Sequence, residues 1–152
     1  MKSRDNNKFL VVMKNVFFAA LMLVLTSQST QAQCNADSYT SQCIPKLADG
    51  FNFLKSYKID GRGGEKDKIE YSYVFTKGTQ YMINICSPGE TVDGIIINLF
   101  DSRRNRVATS SIDGQVASAI AFPCNATGIY YISYSFESSS QYCGGSALGF
   151  SK

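Results

Sequence analysis

An all-β fold, a sandwich or a barrel, is the class this sequence predicts, and three observations predict it. Apolar and polar residues alternate at period two in run after run of the 152-residue chain. Gly, Pro, Asn, Asp and Ser punctuate those runs at short, near-regular intervals. No stretch of useful length carries helical periodicity. The pattern amounts to about eight short strands around one core, and no internal repeat divides it.

Taken in order, Asn52–Ile59 is the first strand, and the Gly61-Arg-Gly-Gly64 loop ends it. Ile69, Tyr71, Tyr73 and Phe75 alternate with Glu70 and Ser72, the mark of a half-buried strand. Thr76-Lys77-Gly78 turns the chain, and Thr79, Tyr81, Ile83 and Ile85 resume the alternation, with Gln80, Met82 and Asn84 on the other face. After Ser87-Pro88-Gly89-Glu90, the run Ile95–Phe100 has the β-branched enrichment of a buried strand. Asp101–Asn105 turns it, Arg106–Ser110 leads back, and Asp113-Gly114 is a hairpin signal before Val116–Phe122. Pro123–Gly128 breaks that run. Tyr130, Ile132, Tyr134 and Phe136 then share one face of Ile129–Phe136, Glu137–Gln141 is a serine-rich loop, and Cys143–Phe150 closes the domain. These phases bury Tyr81, Ile83, Ile85, Ile97, Leu99, Tyr130, Ile132 and Tyr134. They leave Gln80, Asn84, Asn98 and Ser133 facing water or a partner.

Residues 1–32 stand apart. Lys2, Arg4, Lys8 and Lys14 precede the apolar run Val16–Leu25, and the segment ends Thr30-Gln31-Ala32, the format of a secretory signal peptide cut after Ala32. The run falls well short of the roughly 20 residues of a membrane-crossing helix, so no stable anchor is expected after cleavage. Gln31-Ala32-Gln33 before Cys34 lacks the pattern of a lipoprotein leader, and Met13-Lys14 would start a more compact one. The expected organisation is therefore 1–32 signal peptide, 33–51 N-terminal Cys-containing segment and 52–152 β-sandwich, with the product secreted or periplasmic. The chain has 15 basic and 12 acidic residues. The leader alone supplies that excess, so the mature part is balanced and nothing draws it to nucleic acid.

All five cysteines (Cys34, Cys43, Cys86, Cys124, Cys143) follow the cut, and in an exported domain they read as disulfide partners with one thiol over. Cys34 and Cys43 share a short segment without a strand between them, so a local bridge is expected there. Cys86 ends one strand and Cys143 begins the last; antiparallel pairing of those strands would join them and leave Cys124 as the odd thiol. The rival pairing is Cys86–Cys124.

Tyr71-Ser-Tyr-Val-Phe75, Lys77-Gly-Thr-Gln-Tyr-Met-Ile-Asn-Ile85, Ile97-Asn-Leu-Phe-Asp101 and Thr127-Gly-Ile-Tyr-Tyr-Ile132 come in an order that resembles bacterial pre-peptidase C-terminal domains. The resemblance covers about Glu70–Phe136 and implies a jelly-roll-like sandwich of antiparallel strands. The cysteines are not part of its pattern, and the peptidase that such domains usually trail is absent here.

No catalytic residue is expected. The chain contains no histidine, which removes Ser-His and Cys-His pairs and, with no close Cys pair, argues against a zinc site. Glu65, Asp67, Glu70, Asp93, Asp101 and Asp113 mostly sit beside Gly or Lys in expected turns, where carboxylates serve turn geometry. Asp60, Glu65 and Asp67, and Asp93 with Asp101, lack the spacing of a calcium loop, so no metal or other cofactor is expected. Asn125-Ala126-Thr127 fits a glycosylation acceptor but reads equally as a turn. What remains is a secreted binding or accessory module with a protein or glycan partner, or a structural protein of the envelope that pairs through a sheet edge. Tyr57, Tyr131 and Tyr142 fall off the core phase and are the candidate contacts. The lack of tryptophan counts against a sugar. Arg103, Arg104 and Arg106 read as a solvated tip.

Overall fold

The computed structural model describes residues 33–89, 94–137 and 139–152. The expected signal peptide and its expected cut, the alternative Met13 start, Glu90 and Asp93 lie outside them. The period-two runs form ten strands: β1 (Asn52–Asp60), β2 (Lys68–Phe75), β3 (Gln80–Cys86), β4 (Ile95–Phe100), β5 (Arg106–Thr109), β6 (Ser111–Ile112), β7 (Gln115–Val116), β8 (Ala119–Pro123), β9 (Gly128–Phe136) and β10 (Cys143–Ser151).

Eight of them build two antiparallel sheets, β1-β10-β3-β8 (sheet A) and β2-β9-β4-β5 (sheet B). The pairs nest: β1 with β10, β2 with β9, β3 with β8 and β4 with β5. A long hairpin rolled up on itself gives this order, and the β10–β3 and β9–β4 pairs close each half into one sheet. The result is a jelly-roll β-sandwich. The expected Val116–Phe122 strand is corrected to two pieces. Asp113-Gly114 turns a two-rung hairpin of β6 and β7, and β8 starts only at Ala119. Ala117 N–H bonds back to Ser110 C=O while Ser118 C=O takes the Ile85 N–H, and those two bonds break the run.

Between the sheets lie Ile59, Ile83, Ile85, Ile97, Leu99, Ile132, Tyr134 and Leu148, all essentially removed from water. Phe75 is sandwiched between the rings of Tyr81 (centroids 3.8 Å apart) and Tyr130 (4.8 Å), an aromatic column joining β2, β3 and β9. The hydroxyl of the fully buried Tyr134 donates to Ser146 Oγ at 2.6 Å.

The segment before β1, read as strandless, contains a helix, α1 (Ala36–Cys43). Asn35 caps it by accepting the Ser38 N–H. Ala36, Thr40 and Cys43 are its buried residues, one face at i, i+4 and i+7. It lies on the outer face of sheet A. Asn84, expected to face water, is buried beneath it at 3% exposure. Its amide donates to Cys43 C=O at 2.9 Å, and its Oδ1 accepts the Ala147 N–H at 3.0 Å. With donor and acceptor both satisfied, burial of this polar side chain is tolerated.

The disulfide pairing is corrected as well. Cys34 bonds Cys143 and Cys43 bonds Cys86, not Cys34 to Cys43 or Cys86 to Cys143. α1 intervenes between Cys34 and Cys43, an axis of about 12 Å. β3 and β10 do pair antiparallel, but the register sets Cys86 opposite Gly145, two residues from Cys143. Cys43 reaches Cys86 from the helix above. Cys124 is free and buried, its thiol 3.1 Å from Ala126 C=O, so it offers nothing to an intermolecular bridge. These disulfides place the domain in an oxidising, extracytoplasmic compartment. Among the described residues no helix is long and apolar enough to cross a membrane.

Candidate binding face

The two sheets treat their outer faces differently. α1 and the Cys43–Cys86 bridge cover the β10 and β3 part of the outer face of sheet A, whereas the outer face of sheet B is exposed along Val74 and Ile129 and buried at Ile96, Asn98 and Ser133. On it the even residues of β2 oppose the odd residues of β9, which in turn oppose the even residues of β4. Three rows result: Val74 beside Ile129; Ser72, Tyr131 and Phe100; Glu70, Ser133 and Asn98.

Val74 and Ile129 are 56% and 47% exposed, a directly opposed apolar pair on the solvent side of an alternating pattern. Ile129 lines two depressions. One, of about 430 Å³, is bounded by Ser72, Tyr73 and Val74. The other is a cleft of about 500 Å³ at the loop end, bounded by Asp101, Arg103, Val107, Phe122 and Tyr130 among others.

A guanidinium crosses the middle row. Arg104, in the turn after β4, lies 3.6 Å above the ring of Tyr131 on β9 and reaches Glu70 Oε1 on β2 at 2.7 Å. Its backbone sits in the left-handed region (φ 67°), which a non-glycine residue adopts only when its surroundings hold it there. The Glu70 hydrogen bond raises the Arg104 pKa further, so this cation does not switch off. Asp101 anchors the same turn by accepting the Arg103 and Asn105 N–H groups and the Asn105 side-chain amide. The Asn105 amide, first among these, holds its carboxyl below the usual range. Asp60 likewise accepts the Arg62 N–H. Among the described residues no three His, Cys, Asp or Glu side chains cluster as metal ligands. Thr127 Oγ1 accepts the Lys77 N–H, giving the Asn125–Thr127 segment a turn role. Asn98 and Ser133, expected to face water, are buried at 8% and 4%. Asn98 donates to Ser135 Oγ at 3.3 Å, and its Oδ1 has no partner among the described residues.

The three candidate tyrosines are not brought together. Tyr131 is half-buried on the open face under Arg104. Tyr142 packs beside Phe136 (5.3 Å) and over Gly64, and its C=O takes the Gly61 N–H, so it braces the β1–β2 connection. Tyr57 is a correction: it is 3% exposed and stacked on Tyr71 at 4.6 Å. It shares its phase with Ile59, and a bulge at Leu54 turns that residue inward too while leaving Phe53 outside.

Burial, followed by the neighbouring Tyr73 and Tyr71, pushes Tyr57 up to about 12 from its ordinary 10.0. A raised folded-state pKa favours the protonated form, so this contribution to stability is full below about pH 10 and lost as pH climbs through about 12. The Tyr57 hydroxyl also has no partner among the described residues. Tyr57→Phe should therefore raise stability at pH 8 by about 1 kcal/mol and flatten the alkaline decline. Urea unfolding at pH 8, 10 and 11 checks this, and a loss at pH 8 instead would mean that the hydroxyl is bonded.

Sequence reasoning missed Val74, Ile129, Arg104 and Glu70. The first two carried a signal, apolar residues on the polar phase of their strands. The Arg104–Tyr131–Glu70 contact carried none, because it depends on the register of three strands.

No family model matches the chain, and no curated protein matches it. Among solved structures it is similar to the crystal structure of Aeromonas hydrophila PliG, a periplasmic lysozyme inhibitor of g-type lysozyme. The two are 17% identical with a TM-score of 0.42, over 69% of this chain and 90% of that one.

Proposed function

We propose that this protein is a secreted or periplasmic, non-catalytic binding module whose protein partner docks on the open face of sheet B. One observation carries the reading: sheet B keeps an opposed Val74–Ile129 pair in water between two depressions, whereas α1 and a disulfide cover the β10 and β3 part of the outer face of sheet A. Single exposed apolar residues need no explanation, but a contiguous apolar patch with a charged rim is the anatomy of an interface. Ile129 is the apolar anchor, and Arg103, Arg104 and Glu70 form the rim.

The chemistry of the described residues favours binding over catalysis. There is no imidazole, the carboxyls of Asp60 and Asp101 are engaged in their own turns, and the Cys124 thiol is buried without a base. It favours protein over glycan as well. Tyr131 is the one candidate ring on this face, and Arg104 already occupies its exposed side. Kinship with pre-peptidase C-terminal domains belongs to the same proposal, supported by the motif order over Glu70–Phe136.

A photo-crosslinking amino acid at position 129, in protein exported by its own cell, tests this. We expect a discrete adduct from position 129 and none from position 112, where Ile112 is 66% exposed on the β6–β7 hairpin. Val74→Asp should abolish the adduct. The same adducts from both positions, or none from 129, would overturn the docking face.

A further inference from the structure

The sandwich has four sheet edges, β1 and β8 in sheet A and β2 and β5 in sheet B. Edges left long and regular invite another strand, and three of these four are blunted. β1 carries a register shift between Phe53 and Lys55. β8 is five residues ending in Pro123. β5 is four residues, paired across a register shift. β2 differs from all of them. It runs Lys-Ile-Glu-Tyr-Ser-Tyr-Val-Phe over eight residues with unbroken register to β9, and it has neither Pro nor Gly.

Its free side can be assigned residue by residue. Phe136 N–H donates to Asp67 C=O, one rung beyond Lys68. Alternation then turns the backbones of Ile69, Tyr71 and Tyr73 toward β9 and those of Lys68, Glu70, Ser72 and Val74 outward.

We propose that this edge pairs antiparallel with β2 of a second copy, making one continuous eight-stranded sheet from two B sheets. A two-fold axis at Tyr71 sets Lys68 opposite Val74 and Glu70 opposite Ser72 of the other copy. All four outward residues then form bonded rungs, up to about eight backbone hydrogen bonds. No like charges meet directly, and Glu70, the acidic residue in the row, is already matched by Arg104. The same axis sets Ile69 opposite Tyr73. These two and Tyr71 have the core phase yet stay half-buried, and an identical row from the other copy covers them. The contact is isologous and closes at two, because the opposite edge of sheet B is the short, shifted β5. It does not depend on a foreign partner at Ile129.

Sedimentation velocity and amide exchange on the exported protein test it. At about 200 μM we expect a dimer, and at about 2 μM a monomer. The Glu70, Ser72 and Val74 amides should exchange at least about tenfold more slowly in the concentrated sample, with Tyr71 and Tyr73 unchanged. Ser72→Pro removes one outward donor and no β9 bond, so it should give a folded monomer, while Ser72→Thr stays dimeric. A monomer throughout, or a dimer without protection at those three amides, would overturn the proposal. If circular dichroism finds Ser72→Pro unfolded, the exchange data on the unaltered protein decide alone.

Discussion

Replacing Cys34 and Cys143 together by serine is expected to lower the unfolding free energy by roughly 4–5 kcal/mol. That corresponds to a fall of roughly 15–20 °C in thermal midpoint for a domain of about 120 residues. The bridge spans 109 residues and ties the segment before α1 to the first residue of β10. In the unfolded chain it closes nearly the whole domain into a loop, where the entropic constraint is largest. The Cys43–Cys86 bridge spans 43 residues, so opening it alone is expected to cost roughly 4 kcal/mol, somewhat less. Non-reducing peptide mapping should recover one linked peptide for each pair, with Cys124 alkylated only after unfolding. Thermal unfolding of the two double-serine variants then measures their order. A Cys34/Cys143 variant within about 1 kcal/mol of the unaltered protein would show that the N-terminal segment is not anchored as described.

Why the pairing escaped the sequence while the sandwich did not comes down to what alternation encodes. Period two reports which residues share a face, and Ile95–Phe100, Thr79–Ile85 and Ile129–Phe136 carried enough repeats to define both strand and inner face. It does not report what lies outside the sheet. Asn84 and Ser133 read as solvent-facing because they are polar on the polar phase. Asn84 is buried because a helix lands on it and satisfies both ends of its amide. That helix was itself nearly silent, since its buried face is Ala36, Thr40 and Cys43, too small and too polar to stand out as an apolar stripe. Without a visible stripe the segment reads as a loop that makes neighbours of Cys34 and Cys43, whereas α1 sets them apart. The candidate site divides the same way. The apolar Val74 and Ile129 were legible as violations of alternation, whereas Arg104 joins Tyr131 and Glu70 across three strands that only the folded register brings together.

Gly145→Ala is expected to cost about 3 kcal/mol or more, and the reason lies in how α1 meets sheet A. A Cβ at Gly145 would stand 2.2 Å from Thr40 N and 2.5 Å from the Tyr39 carbonyl carbon. Both are backbone atoms in the middle of a helix, so no side chain can rotate aside. The helix would have to lift bodily, losing the Asn84–Cys43 hydrogen bond and the cluster of Cys43, Cys86 and Ala147. It cannot lift freely, because Cys43 is bonded to Cys86 and the register places Cys86 directly opposite Gly145. The covalent tether and the added methyl therefore act against each other at one spot. A double-mutant cycle exposes that coupling: in a Cys43→Ala/Cys86→Ala background the helix is free to swing away, and the cost of Gly145→Ala should fall by at least about 1 kcal/mol. Gly128→Ala serves as the control, since nothing lies within 4 Å of its Cβ position, and should stay within about 0.5 kcal/mol of the unaltered protein. Equal costs for Gly145→Ala with and without the Cys43–Cys86 bridge would mean that the helix yields by itself and that the disulfide does not hold it against the sheet.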